Sequence, residues 1–431
     1  METKPMRYSK ALNALRFFAA MWILLGHFGI EPLRTLGAPN GLLNVLLMRS
    51  VATSCFFVLS GFLLTQSVHG NSIEPRGFLT RRVSKLYPVH VFFFVALLPT
   101  AMMGDIRFTP LQTLGHAAAW LTMTHGFFPH IGELYNSSAW AVTSFVVGYI
   151  ALLWTVRWKT AHSSSLLLRM AVLWVGAALP SVVLYFLAGD WMRSATAQLT
   201  SARSSMPPDL AWWMTFIHIF PGFRVMEVMF GSALAILSSR IPQRQNQEWF
   251  AKDWFLLAEG IFLVVLLALT GQDVAVRYLV SHSLLLPFLG FGMLGVWLNR
   301  GRLESVLSGA AFQQCGSSSM LIYFGHLPAG WGLIWIARQF RQTPIEESLR
   351  DPWLLLTTIL VSLVPALLLW KPYESFAIKF ASWMRSVLWS DQGQPKLNPL
   401  SDTTPNGRVS APRSTTPAAI CNKPTVGESL R

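Results

Sequence analysis

Two residues with chemically useful side chains share one apolar segment near the start of the chain. Arg16 and His27 lie within residues 11–30, a stretch long enough to cross a bilayer as a helix. Eleven positions on a helix correspond to about 1100°, roughly 20° beyond three full turns, and to a rise of about 16 Å. Both side chains therefore share one face at different depths. Charged and titratable groups in hydrocarbon usually line a protein interior or a wet cavity, so the pair favours a functional site.

The chemistry that the pair supports is proton transfer beside a fixed cation. A neutral imidazole at position 27 can take a proton from a hydroxyl as a general base, or it can itself carry an acyl group. The residue types do not separate these two roles. The alternative interpretation is structural, with Arg16 bonded to backbone carbonyls and His27 packed for unrelated reasons.

The composition predicts an all-α, polytopic membrane protein. Of 431 residues, 52% are hydrophobic and only 13% are charged, about half of the charge in a soluble domain. The mean hydropathy is +0.43, and the 18 Trp and 29 Phe fit the aromatic belts of membrane interfaces. The net charge of +14 is spread between apolar runs, so it indicates anionic lipid rather than nucleic acid as the partner.

Apolar runs of spanning length predict a bundle of about ten transmembrane helices. Basic residues are concentrated in alternate loops, which places both termini in the cytoplasm. We divide the chain into a cytoplasmic segment 1–10, a membrane domain 11–389 and a disordered cytoplasmic tail 390–431. A further stretch at 111–128 is interpreted as an interfacial or re-entrant segment. The predicted spans are 12–30, 46–66, 86–103, 137–156, 166–189, 213–237, 254–270, 278–298, 317–337 and 353–370.

Five segments in order carry a family resemblance over residues 11–372. The segments are Ala11 to His27, which contains Arg16; Cys55-Phe-Phe-Val-Leu-Ser60-Gly61-Phe-Leu; Arg81-Arg82-Val-Ser-Lys85-Leu-Tyr87-Pro88; Phe223-Arg224-Val-Met-Glu227-Val-Met-Phe-Gly231; and Gly316 to Pro328, which contains Tyr323 and His326. Together they resemble the acyltransferase-3 family of integral membrane O-acyltransferases. One position departs from the pattern. The family's fourth span commonly carries Trp-Ser-Leu-Ser-x-Glu, whereas here Trp140 and Ser144 are followed by Phe145.

The resemblance implies a role for each of these groups. His27, Arg16 and His326 are the expected catalytic residues, with a structural histidine as the alternative for His326. Arg81, Arg82 and Lys85 suit the phosphates of an acyl-CoA donor, in the simplest case acetyl-CoA, although such charges also fix topology.

Six further residues are expected to support the site, and a structural ion pair is the favoured role for two of them, Arg224 and Glu227. No metal is expected. Two other histidines, His218 and His282, have no motif behind them. The supporting residues are Ser60, Trp140, Ser144, Arg224, Glu227 and Tyr323.

The predicted function is transfer of an acyl group to a hydroxyl of a cell-envelope carbohydrate or a lipid-linked sugar, in the bacterial inner membrane. No motif specifies the acceptor or an oligomeric state. Two alternatives remain at this point: a membrane transporter, for which helix-breaking prolines would be one feature, and a non-catalytic relative of the enzyme, suggested by Phe145.

Overall fold

A computed structural model describes residues 9–68, 74–102, 109–198, 208–241, 249–342 and 344–388. Regular structure in these ranges is helical, which confirms the predicted fold class. The predicted tail 390–431 and most of segment 1–10 lie outside the described residues. The helices are α1 Lys10–Phe28, α2 Ile30–Thr35, α3 Asn40–Leu47, α4 Arg49–Val68, α5 Pro75–Met102, α6 Pro110–Leu121, α7 Pro129–Gly132, α8 Trp140–Thr155, α9 Ser163–Gln198, α10 Pro208–Ile219, α11 Pro221–Ser238, α12 Asp253–Thr270, α13 Val274–Leu279, α14 Leu286–Leu298, α15 Arg302–Leu307, α16 Ala310–Arg341, α17 Ile345–Arg350 and α18 Pro352–Leu388.

Eight helices in the described ranges are long and apolar enough to cross a membrane, and a bent helix pair raises the number to nine. The prediction of ten is therefore confirmed only in part. The remaining predicted span, 86–103, falls on α5, whose last four side chains lie outside the described set. Helix α6 has only 12 residues and is not among the spans, as expected for an interfacial segment. The cytoplasmic location of the termini stays a prediction.

Helix α1 begins and ends where local chemistry dictates. The Ser9 side chain accepts a hydrogen bond from the backbone N–H of Leu12 and caps the first turn. The apolar run then continues to Phe28, and Gly29 follows as the C-cap. Helices α16 and α4 both pack on this helix. This packing holds Arg16 and His27 in fixed positions along α1.

Helices α4 and α11 pack closely, because two glycines remove the side chains that would separate their backbones. A Cβ atom on Gly61 would lie 1.9 Å from the Val228 carbonyl oxygen, and one on Gly231 would lie 2.1 Å from that of Val58. Small residues at such crossings let membrane helices approach closely. The two glycines of the sequence motifs therefore serve helix packing.

One predicted span is broken. Helices α13 and α14 are joined by a π-helical turn, Val280–Leu284, and the chain bends there by 51°. Ser283 has a φ of +66°, which is unfavourable for a residue with a side chain. Such strain persists only where the surrounding structure holds it, and it concentrates at functional sites. The break lies against α4 and α9.

Candidate active site

A cavity of about 220 Å³ lies at the end of α1 that carries His27. Its wall is made by α1, α4, α8, α10, α16, the broken span and the segment before α8. Most of its polar residues come from different elements, so only the folded bundle assembles them. The histidines and charged residues of the wall are His27, His218, His282, Arg49 and Glu133.

The first histidine pair joins α1 to α16. The rings of His27 and His326 lie 5.3 Å apart between centroids, so the two residues predicted from the sequence do meet. His326 is fully buried, and its Nδ1–H donates to the Tyr323 carbonyl oxygen at 2.6 Å. Its Nε2 has no hydrogen-bond partner among the described residues. A buried acceptor without a donor costs about 1–3 kcal/mol.

The second histidine pair joins α10 to the broken span. His218 Nδ1 lies 3.2 Å from His282 Nε2, and His282 Nδ1 lies 2.7 Å from the Tyr278 carbonyl oxygen. Both histidines line the cavity, and the Trp140 ring packs 4.8 Å from that of His218. These two histidines were not singled out from the sequence.

A fully buried ion pair lies behind the second histidine pair. Arg224 Nη1 donates to Glu227 Oε1 at 2.9 Å, and Arg224 Nε donates to the His218 carbonyl oxygen at 2.8 Å. The hydroxyls of Ser54 and Ser283 also donate to Glu227 Oε1. One carboxylate oxygen thus ties α4, α11 and the broken span together. The structural interpretation of this pair is the one that the geometry supports.

A second cavity, of about 360 Å³, adjoins the first through Glu133 and Ser137, which line both. Its remaining wall is mostly apolar and aromatic. Trp331 and Trp335 keep 48% and 45% of their surface exposed, as interfacial tryptophans do. Its other lining residues are Leu97, Leu134, Tyr135, Leu327, Ile334, Arg338 and Ile345.

The basic residues predicted for the donor lie away from both cavities. Arg81, Arg82 and Lys85 occupy the first turns of α5, and Lys85 forms an ion pair of 3.2 Å with Glu374 of α18. Arg16 does not line either cavity; its guanidinium lies 5.6 Å from the centre of the Phe56 ring. The structure therefore separates the predicted donor-binding residues from the histidines.

The remaining supporting residues divide into two groups. Trp140 and Tyr323 line the first cavity, and the Tyr323 hydroxyl donates to the Ser138 carbonyl oxygen at 3.0 Å. Ser60 and Ser144 line neither cavity, although Ser144 is fully buried. Phe145 packs 4.8 Å from Phe57, so an aromatic contact occupies the position of the missing carboxylate.

Four of the histidines and charged residues of the first cavity were not predicted from the sequence, namely His218, His282, Arg49 and Glu133. The sequence did hold one signal, since Pro287 follows the Ser281-His282-Ser283 run and lies in the first turn of α14. A proline inside an apolar span often marks a break. Within the described ranges, no cluster of three or more His, Cys, Asp or Glu side chains could hold a metal ion.

Comparison with known proteins places most of the predicted membrane domain in one family. A family model described as an acyltransferase domain, Acyl_transf_3, matches residues 9–371. Acyltransferase MdmB of Streptomyces mycarofaciens is 24% identical over 239 residues, which are 53% of this chain and 57% of that protein. The chain thus spans little more than half of that relative, and no solved structure matches it. The match over residues 9–371 shows that the chain belongs to the acyltransferase-3 family, and the eight or nine candidate spans of the described residues make it a multi-pass membrane protein.

Proposed function

We propose that the protein transfers an acyl group from acyl-CoA, in the simplest case acetyl-CoA, to a hydroxyl of a cell-envelope carbohydrate or lipid-linked sugar in the bacterial inner membrane. The observation that carries the proposal is the first histidine pair. His27 lines the cavity, and the partnerless Nε2 of His326 lies in the neighbouring ring. That arrangement suits a reaction in which a proton must move.

His27 acts as the general base. It takes the proton of the acceptor hydroxyl while that oxygen attacks the thioester carbonyl, forming the new C–O bond. The C–S bond then breaks, and His27 returns the proton to the departing thiolate to give free CoA. His326 is a positioning residue whose Nδ1–H is held by the Tyr323 carbonyl oxygen, so its Nε2 can receive the N–H of His27.

The donor occupies the opposite end of the bundle. Arg81 and Arg82 bind the CoA phosphates, for which guanidinium groups give bidentate contacts. Lys85 adds a point charge that it shares with Glu374. Arg16 lies between this basic end and His27, about 16 Å from the latter along α1.

The acceptor approaches from the other side. Leu97 of the second cavity lies on the same helix as Lys85, about 18 Å further along. An apolar cavity with exposed tryptophans suits the apolar part of a lipid-linked acceptor drawn from the membrane. Glu133 and Ser137, shared by both cavities, would then meet the hydroxylated end beside His27.

The test uses purified protein in lipid nanodiscs with radiolabelled acetyl-CoA and an envelope glycan extract. We expect label in the glycan fraction, and a loss of about 10²–10⁴-fold in the His27→Ala variant, as for removal of a general base. His162→Ala is the matched control, because His162 is exposed and lines neither cavity. Undiminished transfer by a properly inserted His27→Ala protein would overturn the proposal, and so would passage of acetyl groups across a vesicle without any chemical change.

A further inference from the structure

The second histidine pair has a fixed order of protons. The Tyr278 carbonyl oxygen can only accept a hydrogen bond, so the 2.7 Å contact requires a proton on His282 Nδ1. In the neutral ring, His282 Nε2 is then an acceptor. His218 Nδ1, at 3.2 Å from it, must therefore be the donor.

This order leaves His218 Nε2 as a nitrogen with a lone pair and no proton. A competing contact exists, since Arg224 Nη2 lies 3.5 Å from His218 Nδ1, at the outer limit for a hydrogen bond. The shorter contact with His282 decides the tautomer. His218 is only partly buried and lines the cavity, so the edge opposite its bonded Nδ1 is the one available to a ligand.

We propose that His218 Nε2 accepts a hydrogen bond from a second hydroxyl of the acceptor, so that the cavity selects polyols over simple alcohols. This inference rests on the proposed function, in which His27 receives the proton of the reacting hydroxyl. His282 is the positioning residue, because its hydrogen bond from His218 fixes which nitrogen faces the ligand.

The rest of the cavity wall fits a ligand with several hydroxyls. Besides the histidines, the wall holds one carboxylate, Glu133, and one guanidinium, Arg49. Five hydroxyl side chains complete a polar lining far larger than one alcohol would need. They are Ser50, Thr53, Ser137, Ser138 and Thr215. Trp140, Tyr278 and Tyr323 add aromatic rings that can cover the apolar face of a sugar ring.

The experiment is a double-mutant cycle in which one change is made in the enzyme and the other is the removal of one hydroxyl from the acceptor. Octyl β-D-glucoside and its monodeoxy analogues are offered with labelled acetyl-CoA to the wild-type protein in nanodiscs. We expect one analogue to lose all transfer because it lacks the reacting hydroxyl. A second analogue should lose about 10- to 100-fold in kcat/KM, through KM, because it leaves His218 without its partner.

The same panel is then offered to His218→Ala. The penalty of the second analogue should vanish in this variant, because the parent glucoside then loses the same 10- to 100-fold in kcat/KM through KM, while the first analogue stays inactive. His282→Ala should reduce the penalty in part, and His162→Ala should leave it intact. A penalty of unchanged size in His218→Ala would overturn the inference, as would a loss of kcat with every acceptor.

Failure of the proposed function would look different. In that case the wild-type protein would acetylate no glucoside, and His27→Ala would behave like it. The cycle is then measured from the increase in the unfolding temperature of the nanodisc-embedded protein that each glucoside causes. If the parent glucoside and all of its deoxy analogues raised the unfolding temperature equally, a hydroxyl-binding role for His218 would be rejected as well.

Discussion

The two histidine pairs at the cavity are built alike but are completed differently. In each pair one ring donates Nδ1–H to a carbonyl of its own chain segment, His326 to Tyr323 and His282 to Tyr278. The second nitrogen of His282 then has a partner in His218, whereas Nε2 of His326 has none among the described residues. The two rings of the second pair are joined by a hydrogen bond, and the buried ring of the first pair retains an unsatisfied acceptor.

The difference separates a binding role from a catalytic one. A hydrogen bond between two rings fixes where the proton lies, so His218 presents the same nitrogen to every ligand. In the first pair, Nε2 of His326 has no hydrogen-bond partner among the described residues, and in the proposed mechanism His27 takes the proton of the hydroxyl and returns it to the thiolate. A buried acceptor that costs about 1–3 kcal/mol is retained where it has a use.

Disruption of the Arg224–Glu227 ion pair, which lies behind the second histidine pair, should have the largest effect. Glu227→Gln removes the charge that compensates Arg224, both of which are buried to 1% exposure or less. Breaking such a pair on one side costs about 3–5 kcal/mol of stability. The unfolding temperature in nanodiscs should fall markedly, and the differences in kcat/KM among the glucosides should become smaller as well.

The matched control for that variant is an exposed ion pair. Asp190 pairs with Arg193 at 2.7 Å, but its side chain is fully exposed. Asp190→Asn should leave unfolding almost unchanged, since exposed pairs contribute little. Equal unfolding temperatures for Glu227→Gln and wild type would show that the second pair does not depend on the ion pair.

The first pair is tested through its positioning residue. His326→Ala should lower kcat by about 10²-fold, at the low end of what general base catalysis supplies, because His27 loses its oriented neighbour. KM for the glucoside should change little. His326→Gln should recover part of the rate, since its amide can still donate to the Tyr323 carbonyl and accept from His27. If His326 had a purely structural role, His326→Ala would raise KM and lower the unfolding temperature together with kcat, and His326→Gln would recover none of the rate.

The sequence predicted the parts of the site that lie within single helices. The spacing of Arg16 and His27 placed them on α1, and the resemblance brought in His326, which the structure places beside His27. Gly61 and Gly231, from the second and fourth motifs, allow the close crossing of α4 and α11. Each of these features depends on local periodicity.

The second pair could not be found in that way. His218 and His282 are 64 residues apart in the sequence, and His282 lies in the turn where the chain bends between α13 and α14. At that break the Ser283 hydroxyl donates a hydrogen bond to Glu227 of α11, a tertiary contact that periodicity does not reveal. Periodicity therefore predicted one continuous span where the protein has a bent pair, and both histidines were passed over.

A third histidine pair lines neither cavity and tests whether pairing alone confers function. His90 and His125 stack at 5.2 Å, and His125 lies between α6 and α8, outside the candidate spans. Burial, with the neighbouring His90 as a further cause, lowers the pKa of His125 from 6.5 to about 3. The folded protein therefore keeps this ring neutral.

The pH dependence of stability follows from that difference. The unfolded chain takes up a proton at His125 as the pH falls through about 6.5, whereas the folded protein does so only near 3. Stability is thus complete above pH 6.5, and about 2 kcal/mol should be lost between pH 7.5 and 5. His125→Gln should remove this component of the pH dependence of unfolding and leave kcat at neutral pH unchanged. A large fall in kcat would show that this pair has a function like that of the first.

The smallest effect concerns the strained residue that holds the second pair in place. Ser283→Ala and Ser283→Gly both remove the hydrogen bond to Glu227, so both should weaken discrimination among glucosides equally. They should differ in stability, because glycine adopts a φ of +66° without the steric cost that alanine bears. We expect Ser283→Gly to be more stable than Ser283→Ala by about 1 kcal/mol in nanodisc unfolding. Equal unfolding temperatures for the two variants would mean that residue 283 leaves the positive φ once the hydrogen bond is lost. The hydrogen bond to Glu227 would then be what holds His282 beside His218.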